Sequence, residues 1–150
     1  MDISLLQERA TFIAAIRTFF LGRGVLEVDT PLLSTAAATD PYIDSFSTTS
    51  RGRDADGPEK LYLQTSPEFF MKRLLVEGSG SIFQLAPAFR AGEIGPIHNH
   101  EFMMLEWYRP DFTMEQLMDE VEELVVFCCD LPSIERMTFA EAFQQTSVVD

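Results

Sequence analysis

Residues 82–108, IFQLAPAFRAGEIGPIHNHEFMMLEWY, decide the fold predicted for this chain of 150 residues. Two runs rich in apolar residues, Ile82 to Arg90 and Glu101 to Tyr108, have the length and composition of buried strands. The segment between them, Ala91 to His100, contains glycine and proline and is predicted to be a loop. The pattern therefore indicates an antiparallel pair of strands with a long connection.

The second strand of this pair carries a carboxylate among large apolar side chains. Because side chains alternate across a strand, Glu106 shares one face with Phe102, Met104 and Tyr108. A lone buried charge is costly unless it is paired. Two partners for Glu106 are open, an arginine elsewhere in the protein or a cationic ligand. The residues alone favour the structural pairing.

The loop after the first strand holds a second group of charged candidates. Arg90 ends the strand, Glu93 lies three residues further on, and His98 is in the same loop. An arginine at a strand end beside a loop suits bidentate recognition of phosphate or carboxylate. His98 could add a donor to a phosphate chain. The alternative is a solvated loop with ordinary charges, and the residues alone favour that alternative.

Two short strands and a long loop are predicted before this pair. The strands are Val25 to Val28 and Leu61 to Gln64, and residues 34–60 are interpreted mostly as loop. Within that loop, Ser47 to Lys60 has turn-forming and charged residues without periodicity, which predicts a mobile hairpin tip.

Helices are predicted from apolar periodicity and from capping residues. The first is expected to open at a capping box of Ser4 and Gln7, and to end at Gly22 and Gly24. A second helix is expected to have Ser66 as its cap and Pro67 at its first position, and to end at Gly78. Two more helices are expected to open at capping boxes, one of Thr113 and Gln116 and one of Thr138 and Glu141.

Composition and charge exclude several classes of protein. Hydrophobic residues make up 46% of the chain, which is ample for a core, and the formal net charge is −13 with only two lysines. Since nucleic-acid binding usually needs a basic face, binding of tRNA by this chain is disfavoured. Cys128 and Cys129 are adjacent and unaccompanied by a histidine cluster, so neither a disulfide framework nor a zinc site is indicated. No apolar run approaches the ~20 residues of a membrane span, and no signal-peptide pattern opens the chain, so a cytoplasmic location is predicted.

Several segments, in order, resemble the class II lysyl-tRNA-synthetase-like family. Arg23 to Leu33 (RGVLEVDTPLL) resembles motif 1, and Phe89 to Phe102 resembles motif 2, two antiparallel strands with their loop. Thr65 to Leu75 (TSPEFFMKRLL) is similar to the amino-acid-binding segment of lysyl enzymes. Met104 to Pro110 (MLEWYRP) is most similar to the ligases of this family that modify elongation factor P. The resemblance extends from about Arg9 to Leu124.

The resemblance implies an α+β fold, in which an antiparallel β-sheet is flanked by helices. Residues 1–150 would form the N-terminal portion of a class II catalytic domain, incomplete because motifs 1 and 2 are present and motif 3 is absent. It also implies a homodimer formed through motif 1. ATP and Mg²⁺ would be required, with the Mg²⁺ ligands outside this chain and no metal ligand within it.

The same resemblance assigns roles to individual residues. Arg90 would bridge the substrate carboxylate and the α-phosphate of ATP, as the catalytic residue. The other ATP-binding residues would be Phe102 stacked on adenine, Glu93 on the adenine side and His98 near the distal phosphates. The amino-acid-binding residues, with Arg90, would be Glu68 for the α-amino group, and Glu106 with Tyr108 for the far ammonium of a lysine-like substrate.

The chain departs from the family pattern at several positions. Gly92 stands where lysyl-tRNA synthetases have glutamate, Pro96 and Ile97 replace basic residues, and His100 stands where a proline is typical. Nothing after Asp111 matches motif 3. The isolated chain is therefore expected not to turn over, and to self-associate or be marginally stable.

Three functions follow as hypotheses. The first is ATP-dependent activation of lysine or β-lysine and its transfer to a lysine of elongation factor P, favoured because no anticodon-binding barrel precedes the first helix. The second is a catalytic-domain fragment of a lysyl-tRNA synthetase. The third is a non-catalytic paralogue that dimerises or senses an amino acid.

Overall fold

The computed structural model describes residues 2–51 and 58–146. Its helices are α1 (Ile3–Leu21), α2 (Glu68–Val76), α3 (Met114–Cys129) and α4 (Phe139–Thr146). Its strands are β1 (Leu26–Glu27), β2 (Leu33–Ser34), β3 (Ser47–Arg51), β4 (Pro58–Leu63), β5 (Ile82–Phe89) and β6 (Glu101–Tyr108). The chain divides into two compact units, Met1–Phe19 with Phe112–Asp150, and Phe20–Asp111. The assignment of residues 1–150 to one portion of a catalytic domain stays a prediction.

The first sheet has the strand order β1-β5-β6. Strands β5 and β6 pair antiparallel along their whole length, from Ile82 opposite Tyr108 to Phe89 opposite Glu101, which confirms the predicted pair. Strand β1 pairs with β5 in parallel. The prediction of a wholly antiparallel sheet is therefore wrong, and the sheet is mixed. Parallel neighbours need a long crossover connection, and the chain between β1 and β5, which includes α2, provides one.

The second sheet is antiparallel, with the strand order β2-β4-β3. Strands β3 and β4 form a hairpin with Ser47 opposite Tyr62 and Arg51 opposite Pro58. The prediction that Ser47 to Lys60 is loop is thus wrong at both ends. Most of β3 is exposed and polar, so it lacks the apolar alternation that identifies a strand. The predicted mobile tip lies in residues 52–57, outside the described residues.

The core of the unit Phe20–Asp111 packs around β5. Phe83 is fully buried and stacks on Phe20 with ring centroids 4.8 Å apart, while Phe20 also contacts Trp107 at 5.3 Å. A polar group in this core is satisfied locally, because the Thr30 hydroxyl donates to Gln84 Oε1 at 2.9 Å. The core therefore holds β5 in place, and the candidate site begins at the end of this strand.

Helix starts in the structure test the predicted caps. The box of Thr113 and Gln116 opens α3, and Thr138 and Glu141 exchange hydrogen bonds at the start of α4, so both predictions are confirmed. At α1 the prediction is wrong, because Asp2 Oδ1 accepts the Ser4 N–H at 3.0 Å and Ser4 lies inside the helix.

The start of α2 also differs from its prediction. The helix begins at Glu68, and Pro67 occupies the cap position with no side-chain hydrogen bond, so Ser66 is not the cap. Its predicted end is confirmed, since Gly78 follows the last turn with φ +85°. No helix among the described residues has both the length and the apolar character needed to span a membrane.

Candidate functional site

One face of β6 forms the wall of an open pocket within the unit Phe20–Asp111. The pocket has a volume of about 580 Å³, in the range of small-molecule sites. Met104, Glu106 and Tyr108 line it from β6, as their shared face predicts. Glu68 from α2 and Arg90 from the end of β5 line it as well. The structure thus brings four of the predicted site residues to one cavity, Glu68, Arg90, Glu106 and Tyr108.

The far wall of the pocket carries a hydrogen-bonded pair, Glu106 and Tyr108. The Tyr108 hydroxyl donates to Glu106 Oε1. Burial is the main cause that raises the pKa of Glu106, with the Tyr108 hydrogen bond acting against it and the Glu68 charge adding to it. Burial also raises the pKa of Tyr108, and the hydrogen bond to Glu106 adds to that shift. The hydroxyl therefore stays protonated and keeps donating at neutral pH.

Glu106 has no arginine partner in the described part of the chain. Its hydrogen-bond partner is Tyr108, whereas the neighbouring cations Lys72 and Arg90 form ion pairs with Glu68 and Glu93. The structural pairing favoured from the residues alone is thus not found within these ranges. A half-buried carboxylate whose pKa is raised mainly by burial is suited to receive a cation.

A second carboxylate enters the pocket from the first turn of α2. Glu68 forms an ion pair with Lys72 one turn further along the helix. Its position at the N-terminus of α2 also favours a negative charge. The pair is exposed, with Glu68 at 44% and Lys72 at 56%, so it contributes little to stability. The Glu68 carboxylate remains available to a ligand at the mouth of the pocket.

Arg90 lies directly after β5 and is held in place by several contacts. Its Nε donates to the Thr65 carbonyl oxygen at 3.4 Å, and a terminal nitrogen lies 3.6 Å from Glu93 Oε1. The guanidinium carbon lies 5.2 Å from the centroid of the Phe102 ring, a cation–π distance. Arg90, Glu93 and Phe102 are therefore neighbours, as the predicted ATP-binding group requires. The Arg90 side chain keeps 23% of its surface exposed, so it can still meet a ligand.

His98 is not brought to this group. It is exposed and lies in a tight turn in which the N–H groups of Gly95 and His98 each donate to the other's carbonyl oxygen, at 3.1 and 3.3 Å. It does not line the pocket. Its predicted contact with the distal phosphates of ATP remains a prediction.

Two parts of the site were missed by sequence reasoning. The segment from Ala38 to Ile43 lines the pocket opposite β6, although it was interpreted only as loop. His100, noticed only because a proline is typical there, places its Nδ1 3.1 Å from the Arg90 carbonyl oxygen. The unusual histidine was the one available signal. The loop segment gave none, because no local pattern indicates that it shares a pocket with Arg90 and Glu106.

Metal-ligating side chains do not form a large cluster in the part of the chain that the structure describes. The described ranges contain no group of three or more histidine, cysteine, aspartate or glutamate side chains that could hold a metal ion. That the protein ligands of Mg²⁺ lie outside this chain stays a prediction.

Comparison with known proteins gives the family. The sequence model of the family described as tRNA synthetases class II (D, K and N) matches residues 3–149. The chain belongs to this family. Membership of the class II synthetase family agrees with the α+β architecture and with the resemblance based on residues 23–33, 65–75 and 89–110.

Individual relatives in the class II synthetase family are more specific. The elongation factor P–(R)-β-lysine ligase of Pseudoalteromonas translucida is 50% identical over 149 residues, which is 99% of this chain and 46% of the relative. The protein of the same name from Vibrio vulnificus is 51% identical over 142 residues, 95% of this chain and 44% of the relative. That from Photobacterium profundum is 48% identical over 144 residues, 96% of this chain and 45% of the relative. The chain thus spans less than half the length of these relatives.

Proposed function

We propose that the protein activates lysine or β-lysine with ATP as an aminoacyl adenylate and transfers the acyl group to a lysine side chain of elongation factor P. The observation that carries this proposal is the pocket in which Glu106 and Tyr108 stand at one wall with Arg90 and Glu68. The names of the relatives support the same substrate and acceptor, and favour a ligase over a tRNA-charging enzyme or a non-catalytic paralogue.

The pocket suits a substrate with two ammonium groups. Glu106, fixed by the Tyr108 hydroxyl, would accept hydrogen bonds from the far ammonium, and Glu68 would bind the amino group near the carboxylate. Ligand binding would supply the cation that the half-buried Glu106 lacks. A neutral side chain of the same length would leave that carboxylate unpaired. Selectivity for lysine-like substrates therefore follows from the charge of the wall.

The end of β5 suits the nucleotide. Arg90 would bridge the amino acid carboxylate and the α-phosphate of ATP, since a guanidinium can donate to both oxygens at once. Phe102 beneath it would stack on adenine, with Glu93 on the adenine side and His98 near the distal phosphates. Supporting this placement, Arg90 contacts both Phe102 and Glu93 and also lines the amino acid pocket.

Two bond exchanges make up the proposed reaction. First, an oxygen of the amino acid carboxylate attacks the α-phosphorus; a P–O bond forms, the bond to the β-phosphate oxygen breaks, and pyrophosphate leaves. Second, the neutral ε-amine of a lysine on elongation factor P attacks the acyl carbon; an amide bond forms, the bond to AMP breaks, and the amine loses a proton. Arg90 would stabilise the charge on the α-phosphate during the first step.

Magnesium neutralises charge on the phosphates of ATP in enzymes of this kind. It would bind together with ATP, and we expect its protein ligands outside the described residues, which form no cluster of three or more candidate ligands. A homodimer through residues 23–33 is part of the proposal, by resemblance to motif 1. Binding of tRNA by this chain is not part of it, given the net charge of −13.

Amino-acid-dependent pyrophosphate exchange on the natural gene product tests the proposal. Exchange with lysine or β-lysine is expected, and exchange with norleucine, which lacks the far ammonium, is not. Arg90→Ala should abolish exchange, while Arg51→Ala, which removes an exposed arginine on β3, should leave it unchanged. Absence of exchange with every lysine isomer in a folded preparation would contradict the proposed function.

A further inference from the structure

His100 connects the residue proposed as catalytic to the loop that faces it. Its Nδ1 lies 3.1 Å from the carbonyl oxygen of Arg90. Its ring meets the edge of Phe46 almost perpendicularly, with centroids 5.2 Å apart. The His100 side chain is half-buried by these neighbours.

The hydrogen bond to Arg90 determines which atom of the His100 ring must carry a hydrogen. A carbonyl oxygen can only accept, so Nδ1 must carry the hydrogen and donate it. The backbone supplies a second bond in the other direction, because the Arg90 N–H donates to the His100 carbonyl oxygen at 2.9 Å. Arg90 lies one residue beyond β5, and these two bonds hold its peptide groups on both sides.

Phe46 and its neighbours extend the same connection to the pocket wall. The Phe46 carbonyl oxygen accepts the Leu63 N–H at 2.9 Å, which ties this segment to β4. Two residues earlier, the Asp44 carbonyl oxygen accepts the Ala91 N–H at 2.8 Å. The chain just before Asp44 lines the pocket through Ile43. His100 thus lies where the pocket wall, Arg90 and the loop after β5 meet.

We propose that His100 is a positioning residue, whose Nδ1–H holds the Arg90 backbone so that the guanidinium reaches both the pocket and the nucleotide. This inference rests on the proposed function of Arg90. A proline, typical at this position by resemblance, restricts its own backbone but has no side-chain donor for the Arg90 carbonyl. In this chain the histidine performs the task by hydrogen bonding, and it also packs on Phe46.

Two variants separate the donor from the bulk of the side chain. His100→Asn places an amide N–H where Nδ1 stands and so can keep the bond to Arg90. His100→Leu keeps apolar volume against Phe46 and removes the donor. Because Arg90 does its work only when correctly aimed, His100→Leu should lower kcat of lysine-dependent pyrophosphate exchange about three- to tenfold. His100→Asn should stay close to the unchanged protein.

The rates must be given per active site, because partial unfolding also lowers kcat. The burst of adenylate formed in a single turnover counts the active sites, and a thermal melt compares stability. A ¹⁵N-detected NMR spectrum of the histidine ring provides a readout that needs no activity. It should show a hydrogen on the His100 Nδ1, which the Arg90 carbonyl oxygen requires.

The outcomes distinguish this inference from the proposed function. Exchange by the unchanged protein with equal per-site kcat in His100→Leu would overturn the positioning role and leave the function standing. Hydrogen on Nε2 alone in the NMR spectrum would overturn it even if no exchange were found. If His100→Leu does not fold, loss of exchange per site in a folded His100→Asn would count against it. Restored rate in His100→Asn, together with hydrogen on Nδ1, supports it.

Discussion

Replacement of Glu106 by glutamine isolates the charge of the pocket wall. Glutamine has nearly the same shape, and its Oε1 can still accept the Tyr108 hydroxyl, so the pair on β6 is kept. The change removes the negative charge that would face the far ammonium of lysine. Glu68 stays in place, still paired with Lys72. Any loss of affinity therefore reports on Glu106 alone.

The size of the loss follows from the surroundings of Glu106. A hydrogen bond to a charged group contributes about 1.5–3 kcal/mol. The pocket is open and Glu106 is only half-buried, so screening by water limits the effect to this range, well below the value for a dry interior. The Kd for lysine should rise about 10- to 150-fold. Norleucine, which lacks the ammonium, should bind both forms equally weakly.

Calorimetric titration of the natural gene product measures these constants. Lysine and norleucine are titrated into the unchanged protein, Glu106→Gln and the control Glu59→Gln, in which an exposed carboxylate on β4 is removed. The control should leave both constants unchanged. An unaltered Kd for lysine in Glu106→Gln would show that the Glu106 charge does not bind the far ammonium. Equal losses for lysine and norleucine would show that the pocket had been distorted and the charge was not the cause.

Three further predictions concern stability and ionisation. Burial raises the pKa of Glu106, so the folded chain keeps the carboxyl proton to a higher pH than the unfolded chain does. The contribution of Glu106 to the free energy of unfolding therefore falls as the pH rises from the ordinary pKa of 4.5 through the raised pKa. The free energy of unfolding, measured by urea melts between about pH 4 and pH 8, should lose this fall in Glu106→Gln. If it changes with pH in the same way in both proteins, the prediction is wrong. Thr113→Ala breaks the capping box of α3 and should cost about 1 kcal/mol in urea unfolding, whereas no change would mean that the cap is solvated at no loss. Met71→Ala, at a fully buried position of α2, should cost about 2–5 kcal/mol in the same assay, and a cost near zero would show that this core is not packed.

Sequence reasoning succeeded where the signal is local. Strand β6 was predicted with its observed bounds, Glu101 and Tyr108, because a run of apolar residues bounded by turn formers is visible in the sequence alone. The box of Thr113 and Gln116 is also local, since both partners lie within one helical turn. The shared face of Glu106 and Tyr108 follows from the period of two in a strand, and the structure confirms it.

Two failures, the caps predicted for α1 and α2, are local misplacements by one or two residues. The others mostly involve contacts between residues that are distant in the sequence. Strand β3 is polar and mostly exposed, so only its pairing with β4 makes it a strand. The parallel direction of β1 depends on the whole connection to β5, which no short pattern encodes. The bond between His100 and Arg90 arises from closure of the loop after β5. His98, grouped with Arg90 from its place in the sequence, lies in a tight turn with Gly95 and does not line the pocket, and its contact with phosphate stays a prediction.

Mass spectrometry of elongation factor P tests the central claim most directly. The natural gene product is incubated with ATP, elongation factor P and either lysine or β-lysine, and the intact mass of the acceptor is compared with that of a variant whose target lysine is arginine. A parallel reaction contains tRNA in place of elongation factor P. Elongation factor P should gain the mass of one lysyl group, the arginine variant should gain none, and tRNA should not be charged. Charging of tRNA with elongation factor P left unmodified would contradict the proposed function.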